Sequence, residues 1–103
     1  MVPMSDIGED EVGAAGLDDW TVSDGELRAT FATGDFATGL RLVAALGERA
    51  EAANHHPDVT LTYPSVSLSL LSHDVGHLTQ RDLDLAREVS AEAARLGVAA
   101  QRD

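Results

Sequence analysis

The sequence predicts an α+β domain: a four-stranded antiparallel sheet with two long helices and a short, weak N-terminal helix packed on one face. Three observations carry that prediction. Two pairs of runs alternate apolar and polar residues with the period of a strand. Each pair brackets a turn dipeptide, Asp24-Gly25 in the first and Pro64-Ser65 in the second. Each pair is then followed by a segment whose apolar residues recur at steps of three and four, so the order is two hairpins, each with a helix after it.

Taken in order, residues 1–8 read as a flexible lead-in and residues 9–103 as one domain, as expected for a chain of 103 residues. A short amphipathic helix over Glu9 to Leu17 is weakened by Gly13 and Gly16. Trp20 to Val22 and Leu27 to Thr33 are strands around Asp24-Gly25, a dipeptide that favours tight hairpins. Asp35 suits a helix N-cap. Phe36, Leu40, Val43, Gly47 and Ala50 form the apolar stripe of the helix that follows, with Gly39 and Gly47 as places for close packing. That helix ends near Asn54, because Pro57 drives His56 toward extended backbone. Val59 to Tyr63 and Val66 to Leu70 alternate as the third and fourth strands, the parity of the latter continuing to His73. Thr79 to Asp82 has the form of a capping box, and Leu83, Ala86, Val89, Ala93 and Leu96 stripe a last helix that Gly97 stops.

Composition excludes several classes of function. Eighteen acidic residues face seven Arg and no Lys, a net charge of −11, which repels nucleic acid and anionic membranes and removes lysine Schiff-base chemistry. With no cysteine there are neither disulfides nor thiolate sites. The opening MVPMSDIGEDEV has no basic or apolar leader, and no run approaches the ~18 apolar residues of a membrane span. Neither a nucleic-acid nor a membrane partner is expected, and the expected location is cytoplasmic. Four aromatic residues leave a core of Leu, Val and Ala, so self-association is expected to add buried apolar area.

All four histidines, His55, His56, His73 and His77, fall between residues 55 and 77. Histidine both donates and accepts protons near neutrality. His55 and His56 stand where the first long helix gives way to a strand, and His73 at the end of the last strand; the fold brings both places to one sheet edge. The turn before Pro57 lets adjacent histidines serve one pocket. Glu51, four residues before His55, and Asp82, in the first turn of the last helix, are candidate partners. Each has a plainer reading as well. Asp82 completes a capping box, Glu51 lies on a solvated helix face, and His77 beside Gly76 is a surface residue. Three histidines also match a catalytic zinc shell, so spacing alone leaves metal-free acid/base chemistry and zinc chemistry both open.

The stretch Glu51-Ala-Ala-Asn-His55-His56-Pro57, with Tyr63, His73 and Asp82 after it, resembles the signature of the pterin-4a-carbinolamine dehydratase family over 32 residues. Trp20, the strand ending at Phe31, the helix opening at Phe36 and the segment from Leu78 to Ala86 resemble the family too, so the likeness spans about Leu17 to Gly97. It implies the family fold and dehydration of 4a-hydroxytetrahydrobiopterin, or a related pterin 4a-carbinolamine, to the quinonoid dihydropterin. No metal and no cofactor are implied. By position, His55 and His73 become the acid/base pair and His56 an orienting residue, with Asp82 holding His73 and Glu51 supporting His55. His56, Pro57, Asp58, Ser72 and His73 become the residues that contact substrate. The resemblance further implies a homodimer or homotetramer, and it carries an alternative: a non-catalytic coactivator or a Rubisco-type assembly factor on the same scaffold. Two positions depart from the family pattern: Asp19 replaces the glycine before the tryptophan, and no aromatic follows Pro57 closely.

Overall fold

In β2 (Glu26–Ala32), Leu27, Ala29 and Phe31 are buried while Arg28 and Thr30 are half-exposed; in β4 (Ser65–Leu70), Val66, Leu68 and Leu70 are buried while the intervening serines are not. The two strands pair antiparallel with Leu27 opposite Leu70, Ala29 opposite Leu68 and Phe31 opposite Val66. That register gathers every apolar side chain of the pair on one face, and a slip by one residue would turn them all outward. Full burial of a Leu or Phe is worth roughly 1.5–3 kcal/mol, so this pairing organises the core. The computed structural model that shows it describes residues 9–101; the predicted lead-in over residues 1–8 lies outside them.

The remaining elements are α1 (Glu9–Ala14), β1 (Thr21–Ser23), α2 (Phe36–Ala53), β3 (Asp58–Leu61), α3 (Gln80–Arg95) and β5 (Ala99–Ala100). Strand order is β1-β2-β4-β3, and β5 pairs with the far end of β2 beside Phe31 and Ala32. The sheet therefore has five antiparallel strands where four were expected. A two-residue strand is too short to show alternation, so β5 left no trace in the pattern. The turn at Asp24-Gly25 has both residues at positive φ, 53° and 77°, as the twist of a two-residue hairpin demands. Trp20 packs edge-on against Phe31, with ring centroids 6.1 Å apart, and its Nε1–H donates to Ser90 Oγ at 2.9 Å, tying the N-terminal segment to α3.

The face of α2 that is buried differs from the expected stripe. Gly39, Leu42, Leu46 and Ala50 turn inward, whereas Phe36 and Leu40 are 46% and 50% exposed. The helix carries two apolar stripes, and the one with Gly39 takes the sheet because a glycine lets the helix come close. A Cβ at that position would lie 2.5 Å from Leu61 Cδ1. Nothing approaches Gly47 in that way. The opposite face of the sheet stays polar: Arg28 lies beside Ser69, and Thr30 beside Ser67 with their hydroxyls 3.1 Å apart.

Across the two long helices, buried Glu92 accepts from Arg49 Nε at 3.0 Å and from Arg95 Nε and Nη2 at 2.9 and 2.7 Å. The Arg95 hydrogen bond first, and then the Arg49 one, holds the Glu92 carboxyl below its usual range. A folded-state pKa depressed in this way means the clamp contributes fully above the ordinary glutamate value of 4.5 and is lost as pH falls through the folded value. Between about pH 7 and about pH 3, the gap in urea midpoint between the parent and Glu92→Gln should close. A gap that stays constant would mean that Glu92 acts by packing alone.

Candidate active site

The helix α2 ends in a turn that sets the two adjacent histidines on different courses. Asn54 adopts the left-handed conformation, φ 51° and ψ 43°. The N–H of Asn54 then reaches Glu51 O at 3.2 Å, and the N–H of His55 reaches Ala50 O at 3.0 Å, the double closure of a Schellman motif. Asn is the side chain that accepts this conformation most readily after Gly. The motif folds His55 back beneath the last turn, where it is buried, and leaves His56 exposed ahead of Pro57 and β3. Since Asp58 pairs with Ser69, the start of β3 lies beside the end of β4, and the segments bearing His55 and His73 meet at one sheet edge.

His55 Nε2 is 2.5 Å from Asp82 Oδ1. Asp82 is fully buried, and its other oxygen, Oδ2, accepts from Ser72 Oγ at 2.8 Å and from the Thr79 N–H at 2.9 Å. A carboxylate without solvent needs such donors, and three surround this one. A neutral His55 that donates from Nε2 carries its lone pair on Nδ1. Among the described residues Nδ1 has no hydrogen-bond partner, and Thr33 Oγ1 is the one buried side-chain polar atom without one. Nδ1 is therefore open to solvent. The result is a buried His–carboxylate dyad with one basic nitrogen facing outward.

His56 forms a second, exposed pair with Glu51 across the left-handed turn. The partners are exchanged relative to expectation: Asp82 holds His55 and not His73, and Glu51 holds His56 and not His55. The cause is the Schellman turn, which stops α2 before the four-residue helical spacing can carry Glu51 to His55.

His73 is exposed at the start of a turn closed on Ser72, whose carbonyl accepts from the Val75 and Gly76 N–H groups at 3.1 and 2.8 Å. Its neighbour Asp74 pairs with Arg81 at 2.6 Å, and that hydrogen bond holds the Asp74 carboxyl below its usual range. His77 bridges back to Ser72 and its Nδ1 lies 3.1 Å from Leu78 O. Pro57 is half-buried and Asp58 exposed at the same edge. Ser72 is different: the residue is wholly buried, and its side chain is committed to Asp82 and to Thr79 Oγ1 at 2.7 Å. Tyr63 sits 68% exposed at the opposite end of the β3–β4 hairpin, away from the histidines. Among the described residues, no three His, Asp or Glu side chains gather so as to hold a metal ion.

Sequence reasoning missed the hydroxyls of Ser72 and Thr79. A signal was present: Ser72 has the inward parity of Leu68 and Leu70, and a polar residue pointed at the core needs a buried partner.

The fold and this site define a small α+β protein with a buried histidine–carboxylate pair at the edge of its sheet. The family model for pterin 4 alpha carbinolamine dehydratase matches residues 6–92. A relative from Cyanothece sp., provisionally named pterin-4-alpha-carbinolamine dehydratase, is 43% identical over 74 residues, 72% of this chain and 76% of the relative. One of the same provisional name from Mycobacterium avium is 34% identical over 89 residues, covering 84% and 95%. A solved structure described as a transcriptional coactivator/pterin dehydratase from Brucella melitensis superposes with a TM-score of 0.78 at 29% identity, over 85% of this chain and 98% of that one. The chain belongs to the pterin 4 alpha carbinolamine dehydratase family.

The two histidine pairs should respond differently to loss of their acid. Asp82→Ala leaves three buried donors without an acceptor and should cost about 3–5 kcal/mol in urea unfolding. Glu51→Gln breaks an exposed pair and should cost no more than about 1 kcal/mol. Equal costs would contradict the buried and exposed assignments.

Proposed function

We propose that this protein dehydrates 4a-hydroxytetrahydrobiopterin, or a related pterin 4a-carbinolamine, to the quinonoid dihydropterin in pterin cofactor recycling. The observation that carries this reading is the outward Nδ1 of His55, backed by buried Asp82, at the edge where His56 and His73 are also exposed. The reaction breaks the C4a–O bond and the N5–H bond and forms a C4a=N5 double bond. His55 accepts the N5 proton at Nδ1, and Asp82 stabilises the imidazolium that forms. His73, whose ring has no hydrogen-bond partner among the described residues, delivers a proton to the departing hydroxyl, which leaves as water. His56, steadied by Glu51, orients the pterin, and Pro57 and Asp58 border it. The family membership supports the substrate class. No step calls on a metal, a cofactor, nucleic acid or a membrane surface, and the working location is the cytoplasm.

The exposed apolar pair Phe36 and Leu40, one turn apart on α2, supports a homodimer or homotetramer as the working form. The same stripe favours a second reading, that of a binding or assembly factor on a dehydratase scaffold.

Stopped-flow measurement on freshly generated 4a-hydroxytetrahydropterin in excess chelator tests the proposal. Dehydration well above the spontaneous rate, insensitive to chelator, is the expected outcome. His55→Ala and His73→Ala should each lower kcat/KM by about a hundred-fold with the fold intact. A folded parent that gives no acceleration would overturn the catalytic reading in favour of the binding one, and a chelator-sensitive rate would overturn the metal-free mechanism.

A further inference from the structure

We infer that Ser72 is a positioning residue for the site, its hydroxyl fixing the Asp82–His55 dyad while its backbone carries His73. The inference deepens the proposed function and rests on the same dyad.

The side-chain hydroxyl of Ser72 donates its one proton to Asp82 Oδ2 at 2.8 Å, so the Thr79 hydroxyl at 2.7 Å donates to Ser72 Oγ in turn. The chain of bonds runs from Thr79 O–H to Ser72 O–H to Asp82, with His55 Nε2–H meeting the other carboxylate oxygen. Two donors on Oδ2, one from the end of β4 and one from the cap of α3, fix the plane of the carboxylate. Only then does Oδ1 point at His55 in one direction and hold the imidazole in the tautomer with Nδ1 open. Remove the hydroxyl and Oδ2 keeps the Thr79 N–H alone, about which the carboxylate can swing.

The backbone of the same residue starts the turn that bears His73. Its carbonyl takes two N–H groups, from Val75 and Gly76, and it pairs with His77 across the turn. One residue thus joins the dyad to the other proton-handling segment. It does so from a position of zero exposure, where it cannot itself touch substrate.

The test compares Ser72→Ala and Ser72→Cys with the parent in two measurements. The first is the ring 15N and Nε2–H spectrum of His55, assigned with His55→Gln. The parent should show a single Nε2–H tautomer with a downfield, slowly exchanging proton. Ser72→Ala should move that proton upfield and speed its exchange by about ten-fold, and Ser72→Cys, which has the shape of serine and a weak donor, should fall between. The second is steady-state dehydration, where kcat should drop about ten-fold in Ser72→Ala while KM changes by less than about two-fold. A packing role alone would move stability and leave the His55 proton where it is. If the signal, exchange and kcat in Ser72→Ala match the parent, the inference is wrong; should the alanine variant not fold, an unchanged signal in Ser72→Cys rejects it equally. The spectrum reads the dyad whether or not a pterin is turned over, so a failure of the proposed substrate stays distinguishable from a failure of this inference.

Discussion

A carboxylate with no access to water must be surrounded by donors, and the place of Asp82 follows from that requirement. Its three donors come from three parts of the chain: the turn after α2, the end of β4 and the cap of α3. Each would be an ordinary local feature alone. Because they share one acceptor, the position of His55 depends on the position of α3, and α3 in turn is anchored through its first turn to the sheet. The hydrophobic core brings these parts near one another, and the carboxylate sets their relative orientation to within a hydrogen bond.

Adjacent residues with the same side chain have been given different surroundings. The His55 pair is buried; the His56 pair is wet, and both of its partners are mostly exposed. A buried pair holds one geometry at the cost of desolvation, whereas an exposed pair is loosely held and screened by salt. In the proposed reaction, proton abstraction benefits from the first arrangement and accommodation of a ligand from the second. The Glu92 clamp between α2 and α3 serves stability far from this chemistry, joining the helices at the end of α3 opposite to Asp82.

Most of the fold was legible because it rests on period-two and period-three-and-four patterns that need no tertiary information. The two hairpins and both long helices were of this kind. The stripe on α2 was misread because Phe36 and Leu40 look more hydrophobic than Gly39, and close approach to Leu61, not hydrophobicity, decides which face goes inward. The carboxylate partners were misassigned because helical spacing was extended through Asn54, where the backbone leaves the helix. Ser72 was expected at the substrate and not at Asp82, because its inward parity, shared with Leu68 and Leu70, does not name the buried partner that its hydroxyl finds.

Asn54 influences this site through two backbone angles. A left-handed residue one step before paired histidines leaves a short menu of tolerated replacements, with glycine and aspartate at its head and β-branched residues shut out. Divergence at this position should therefore be narrow for a steric reason. Substitutions there would change which way the chain turns, and so exchange the environments of two identical side chains, without altering either histidine or its carboxylate.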